Sequence, residues 1–227
     1  MQYDLVVIGL GYVGLPLARE ASLAGLRVAG LDRNADVVAQ LRTGRSHVDG
    51  VSDGDVAAMV AAGFTATIDP SVLGAMGAAV ICVPTPLSAD GRPDLTAVTD
   101  AARALAARLR PGMLVVLEST TYPGTTDDVV RPLLEESGLR AGRSFHLAFS
   151  PERIDPGNPE HGLRNTPKVI GGFTPACAEA ATALYGKMCD TLVRAKGTRE
   201  AEMAKLPGEH LPTRQHRASQ RDGHLLP

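Results

Sequence analysis

Short, continuous apolar runs alternate along this 227-residue chain with stretches whose apolar residues recur every three or four positions. The first run, Leu5-Val6-Val7-Ile8, is rich in β-branched residues and stops at Gly9. An unbroken apolar run of that length suits a strand buried on both faces, as in a parallel sheet covered by helices. Residues 12–24 then carry helical spacing, Gly25 ends it, and residues 27–31 form the next short run. Together they make one β-α-β unit of about 30 residues, the size of a crossover pair. The same alternation predicts further helices over 35–41, 56–62, 95–109, 125–136 and 175–188. Strands are expected over 66–68, 78–83, 113–117, 146–149, 168–170 and 191–193. This regularity predicts an α/β protein, a doubly wound, mainly parallel sheet with helices on both faces. The long irregular stretches, 89–93 and 151–167, are where function tends to sit.

Composition narrows the class. Hydrophobic types make up 44% of the residues, enough for a sizeable core. With 23 Lys and Arg against 25 Asp and Glu, the net charge of -2 gives no electrostatic case for nucleic acid or an anionic membrane as partner. No apolar run approaches the roughly 18 residues that span a bilayer. The opening MQYDLVVIG has neither a basic region nor a cleavage site, so it reads as a buried strand, and a cytoplasmic protein is expected. Cys82, Cys177 and Cys189 are scattered without CxxC spacing, which argues against a disulfide framework and against a metal site.

Candidate chemistry begins at the first turn. Gly9-Leu10-Gly11-Tyr12-Val13-Gly14 is a GxGxxG that follows a strand and opens a helix. In such a turn Gly9 allows the tight bend and Gly11 removes the side chain that would block a pyrophosphate. Gly14 lets helix and strand pack closely. The helix start, at Tyr12 and Val13, offers free N–H groups and partial positive charge to phosphates. The second strand ends in Asp32, 18 residues after Gly14. A carboxylate there accepts hydrogen bonds from both ribose hydroxyls and repels a 2′-phosphate, so NAD is favoured over NADP. Arg33 beside it is a counter-signal, since a guanidinium can hold a 2′-phosphate.

Two more loops follow strand ends on the side where ligands of such sheets bind. Pro84 and Pro86 in Val83-Pro84-Thr85-Pro86 fix a rigid loop in which Thr85 can offer a hydroxyl to the cofactor. The second loop, Glu118-Ser119-Thr120-Thr121-Tyr122-Pro123-Gly124-Thr125-Thr126, is rich in hydroxyls. Its plain reading is helix capping by Thr125 or a neighbour. Ser119 and Thr120, nearer the strand end, are the better candidates for the site.

These segments resemble a known family. GLGYVGLPLA from Gly9, CVPTP from Cys82, ESTTYPGTT from Glu118, FSPERIDPGN from Phe149, PKVIGG from Pro167 and EAEMAKL from Glu200 together are similar to the UDP-glucose/GDP-mannose dehydrogenase family. The flavour is that of its bacterial members acting on UDP-N-acetylated hexosamines, and the likeness runs from residue 3 to Leu206. It implies a Rossmann-like NAD-binding domain over residues 1–197, followed by the start of an interdomain helix over 198–206. It also implies oxidation of a sugar C6 alcohol to the carboxylate with two NAD per turnover, through a cysteine-bound thioester. By position, Thr120 corresponds to a threonine that helps position water, and Glu152 to a general base. Lys205 corresponds to a lysine that stabilises oxyanion charge. A UDP-sugar as substrate and a homodimer paired through the interdomain helix are further implications.

The chain departs from that pattern. The family's nucleophilic cysteine lies downstream in a glycine-rich segment that is absent here, and Cys82 sits in an expected strand, where a thiol is usually inert. After Leu206 the family would continue into a long helix, whereas residues 207–227 read PGEHLPTRQHRASQRDGHLLP with no helical period. Reading each codon from its second base permits Leu-Glu-Asn-Thr-Tyr-Arg, one free position, then Val-Asn-Ile-Ala-Leu-Val-Asn-Glu-Met-Ala, which is the family's next stretch. The expectation is therefore a single-base insertion near codon 206, with an off-frame tail and early termination. Two readings stand: a nucleotide-sugar 6-dehydrogenase by ancestry, and a catalytically inactive NAD-binding fragment lacking the nucleophile, the sugar domain and the dimer helix.

Overall fold

The computed structural model describes residues 2–88, 91–152 and 163–204. Eight strands form one sheet: β1 (Tyr3–Ile8), β2 (Val28–Leu31), β3 (Thr65–Thr67), β4 (Met76–Ile81), β5 (Leu114–Leu117), β6 (His146–Phe149), β7 (Lys168–Gly172) and β8 (Leu192–Arg194). Their order is β3-β2-β1-β4-β5-β6-β7-β8. The pairs are parallel except β6 with β7, where Ala148 lies opposite Gly172 and Phe149 opposite Gly171. The order reverses direction between β1 and β4, the switch point at which a doubly wound sheet opens a crevice.

The helices are α1 (Gly14–Leu23), α2 (Ala35–Arg42), α3 (Asp53–Ala61), α4 (Thr96–Ala106), α5 (Arg131–Glu135), α6 (Pro175–Tyr185) and α7 (Thr198–Met203). Strand alternation divides the core into two layers. Leu5 and Val7 of β1 face Leu15, Leu17 and Ala18 of α1 and Leu184 of α6. Val6 and Ile8 face the other side, with Val98, Ala102 and Leu105 of α4, Leu134 of α5 and Ala201 of α7. A strand buried on both faces has no polar positions to show, which is why these runs are unbroken in sequence.

Boundaries move where capping or backbone chemistry overrides apolar period. Helix α3 starts at Asp53 rather than 56, because Ser52 and Asp55 form a reciprocal capping box that the apolar pattern does not register. A short 3-10 turn, Pro70–Ala75, precedes β4 and was not predicted. The stretch expected as one helix over 125–136 begins instead as a π-helical segment, Thr125–Val130, before α5. The two glycines of PKVIGG are explained by packing. A Cβ at Gly171 would lie 2.2 Å from Gly197 O, and one at Gly172 would lie 2.2 Å from Ala178 N, so α7 and α6 can close on β7. No helix among the described residues is long and apolar enough to cross a membrane.

Candidate functional site

The GxGxxG turn is built by its neighbours. Gly9 has φ +89°, and a Cβ there would stand 2.7 Å from Cys82 O. A Cβ at Gly14 would stand 1.8 Å from Gly9 O, so this contact fixes the approach of α1 to β1. Gly11 differs: nothing lies within 4 Å of its absent Cβ, so the space above it is open. Helix α1 has no acid in its first turn, and no side-chain cap either, unlike α2, α3 and α6, which Asn34, Ser52 and Thr174 cap. An uncapped helix start under an open glycine is a cradle for an anionic group such as a pyrophosphate. Tyr12 is exposed at this turn, and Val13 is packed against the core.

Asp32 lies just beyond the end of β2, and one carboxylate oxygen accepts the Leu10 N–H at 2.8 Å while the other accepts the Asn34 N–H at 2.9 Å. These two bonds tie the glycine turn to the acid and leave lone pairs on both oxygens for two further donors, as vicinal ribose hydroxyls would supply. Gly30, which the sequence did not single out, is part of this device. A Cβ there would run into the Leu10 side chain at 2.6 Å, so the glycine lets Leu10 seat beneath the turn. Arg33 is exposed beside Asp32. The chain's own groups thus fit the dinucleotide that the sequence implied.

The other two loops meet each other. Thr85 donates its hydroxyl to Thr120 O at 2.6 Å, joining the loop after β4 to the loop after β5, with Pro84 and Thr120 exposed. Ser119 is buried and donates to Val83 O at 2.7 Å, so this hydroxyl stitches the two strand ends together. Thr125 does not cap the following helix; its hydroxyl donates to Tyr122 O at 2.7 Å. The capping group is Glu202 of α7, a residue the sequence reading passed over. It accepts the Gly124 N–H at 2.5 Å, the Thr126 N–H at 2.8 Å and the Thr126 hydroxyl at 2.7 Å. Burial pushes the Glu202 carboxyl up from its ordinary range, opposed by these bonds.

Glu152 stands in a buried charged cluster. Lys168 Nζ lies 2.9 Å from Glu118 Oε1 and 3.5 Å from Glu152 Oε2, and Tyr185 donates its hydroxyl to Glu118 Oε1. Burial alone would pull the Lys168 ammonium down, but Glu118 and Glu152 outweigh it and hold it above its ordinary value. Burial pushes the Glu118 carboxyl up, with Lys168 opposing. Continuing the β6–β7 register places position 152 opposite Lys168, so the single antiparallel pairing delivers this lysine to the carboxyl edge of the sheet. Glu118 and Lys168 had a signal in sequence: each is a lone charge at the end of a wholly apolar strand.

Cys82 lies one residue past β4 rather than within it, and all three cysteines are buried. Burial pushes the Cys82 thiol well up and that of Cys189 to about 11, so both stay protonated and poor nucleophiles at neutral pH. Among the described residues no group of three or more His, Cys, Asp or Glu could hold a metal ion. Lys205 and the tail from Pro207 lie outside the described residues.

With this geometry in place, the sequence profile of the UDP-glucose/GDP-mannose dehydrogenase family, NAD binding domain, matches residues 3–189. This chain belongs to that family. UDP-N-acetyl-D-glucosamine 6-dehydrogenase of Pseudomonas aeruginosa is 37% identical over 205 residues, covering 89% of this chain and 48% of its own length. The solved structure of UDP-D-ManNAc dehydrogenase from Pyrococcus horikoshii superposes with a TM-score of 0.84 at 34% identity, covering 89% of this chain and 49% of the other. GDP-mannose dehydrogenase from Pseudomonas aeruginosa, solved as a ternary complex, gives a TM-score of 0.82 at 27% identity, with 90% and 48% covered. The chain therefore spans about half the length of the relatives it matches, and the half it spans is the family's Rossmann-like NAD-binding domain.

Proposed function

We propose that this domain binds NAD for the oxidation of a nucleotide-sugar C6 alcohol to the uronate, with a UDP-N-acetylhexosamine as the sugar substrate. The observation that carries the reading is the coupled geometry of the open space over Gly11 and the Asp32 carboxylate bonded to Leu10 N–H. NAD, when bound, supplies the hydride acceptor. The chain's residues do the rest of the binding: the start of α1 faces the phosphates, and Asp32 takes the ribose hydroxyls and disfavours a 2′-phosphate. In this reading Thr120, whose carbonyl accepts the Thr85 hydroxyl, orients water and Glu152, beside Lys168, takes its proton. Lys205 follows Glu202 by three residues and takes the oxyanion-stabilising role in this reading.

A second reading has its own observation. A thioester route needs a reactive thiolate, and each cysteine of this chain is buried. The chain by itself then binds NAD and does not turn over. Calorimetric titration with NAD tests the domain, with micromolar to millimolar affinity expected. NADH production with UDP-N-acetylhexosamines separates the two readings, since sustained turnover by this chain overturns the second. Residues 207–227 fit an out-of-step translation of the family's following helix, and sequencing the DNA across codon 206 tests that: no continuation of the family pattern after one base is removed overturns it.

A further inference from the structure

The loop after β5 is pinned at both ends. At its start the Ser119 N–H donates to Ile81 O at 3.1 Å and the Ser119 hydroxyl to Val83 O at 2.7 Å, so this end belongs to the sheet. At its far end Tyr122 O accepts both the N–H and the hydroxyl of Thr125, and Pro123 stiffens the step to Gly124. Gly124 and Thr126 then hang on Glu202, a carboxylate 1% exposed that reaches them from α7. Thr120 is exposed between these anchors, and its carbonyl accepts the Thr85 hydroxyl, which ties the loop after β4 to it.

The links from α7 to this segment are unequal. Arg199 pairs with Asp127 and Asp128 from an exposed position, and such pairs add little. Thr198 adds a single bond to Asp127. Glu202 accepts three bonds from two buried residues, where an unmet N–H is costly. The weight of the link rests on Glu202. The glycine turn after β1 and Asp32 after β2 account for the adenosine and phosphate half of a dinucleotide. A doubly wound sheet carries the second half across the switch point, onto the ends of β4 and β5. The loops after those two strands are the ones that Thr85 and Thr120 join.

We propose that Glu202 is a positioning residue for the nicotinamide half of the cofactor, setting from α7 the place of the two loops on which that half rests. The inference rests on the NAD reading of the cleft and requires no contact between Glu202 and the cofactor. Coupling of this kind is reciprocal, so a dinucleotide that tightens the loops also tightens α7.

The test is calorimetric titration of the full chain with NAD+ and with ADP, which lacks the nicotinamide and its ribose. Glu202→Gln keeps the side chain's shape but turns an NH2 toward one of the N–H groups that the carboxylate accepts. It should weaken NAD+ binding by about fivefold or more, the low end of coupling between sites, while ADP affinity holds within about twofold. Thr126→Val removes one of the three bonds and should shift NAD+ affinity the same way by a smaller factor. Arg199→Ala breaks the exposed pairs and should leave both affinities within about twofold. In the parent chain, saturating NAD+ should slow amide exchange at Ala201 and Ala204 of the α7 end more than saturating ADP does. If Glu202→Gln does not fold, Thr126→Val and the exchange measurement decide the matter. NAD+ and ADP affinities that fall together or both stay fixed in these variants overturn the inference alone. So does an Arg199→Ala shift as large as that of Glu202→Gln, or equal exchange at Ala201 and Ala204 with either ligand. Failure of the parent chain to bind NAD+ overturns the NAD reading and this inference with it.

Discussion

Glu202 on α7 grips Thr126 across 76 residues of chain, its Oε1 accepting both the Thr126 backbone N–H at 2.8 Å and the Thr126 hydroxyl at 2.7 Å. Its other oxygen takes the N–H of Gly124, whose φ of +99° opens the helical segment. Thr198 and Arg199 add bonds to Asp127 and Asp128 on the same segment. The start of α7 and the loop that carries Thr120 are thereby held as one unit. The carboxylate occupies the position that a bound anion would take at a free helix start.

Replacing Glu202 tests that grip. Glu202→Ala leaves buried N–H groups without an acceptor, and the expected loss of stability is about 2–3 kcal/mol. Urea unfolding measures it, and hydrogen exchange should quicken at the Gly124 and Thr126 amides before it does in β1 or β4. Unchanged exchange at those two amides contradicts the arrangement.

The glycines of the first turn should separate binding from folding. Gly11→Ala adds a methyl group to open space, so stability should hold within about 0.5 kcal/mol while NAD affinity falls about tenfold or more. Gly14→Ala drives a Cβ to within 1.8 Å of Gly9 O, so both stability and affinity should fall. Thermal unfolding with and without NAD reads both quantities. Equal behaviour of the two variants would contradict the assignment of Gly11 to the cleft.

Asp32→Ala removes the acceptor for Leu10 and Asn34 as well as the acceptor proposed for the ribose hydroxyls. NAD affinity should fall about 10- to 100-fold, the range for lost charge-assisted hydrogen bonds. NADP affinity should fall far less, because the carboxylate that repels a 2′-phosphate is gone. A parallel loss for both dinucleotides would place Asp32 in a purely structural role.

The start of the sheet has a pH-dependent clasp. The Arg27 guanidinium, through its hydrogen bond, holds the Asp4 carboxyl at about 2, and the Arg27 N–H adds to this. A carboxyl whose folded-state value is depressed adds stability above the unfolded value near 3.9, and loses it as pH falls toward 2. The pair is exposed, so the effect is small. Asp4→Asn should lower Tm by about 1–2 °C at pH 7. That difference should shrink steadily below pH 4 and vanish only below pH 2. A constant difference down to pH 2 would show that the ion pair is not its source.

The fold was legible in the alternation of elements, because strands buried on both faces must be apolar throughout and helices on a sheet must show one apolar face. His146–Phe149 was located to the residue, and Lys168–Gly172 was short by only two glycines. The start of α3 was not legible, because a capping box decides it and leaves no apolar period; the helical segment did start at Thr125 as expected, but its π winding was not legible. At the candidate site, the glycine turn and its closeness to Asp32 were legible, since their spacing is local, and the structure joins them through Leu10 N–H. The bond from Ser119 to Val83 O was not legible, because it joins two loops 36 residues apart and leaves no local pattern.

By itself, then, the sequence determined the β-α-β grammar and the glycine turn with an acid close by, because these depend on residues close together in the chain. Only the tertiary structure decided that Lys168 meets Glu118 and Glu152, that Glu202 closes the turn at Thr126, and that every cysteine is buried. Those relationships join residues far apart in sequence, and they come from one reversed strand and one helix folding back onto the sheet.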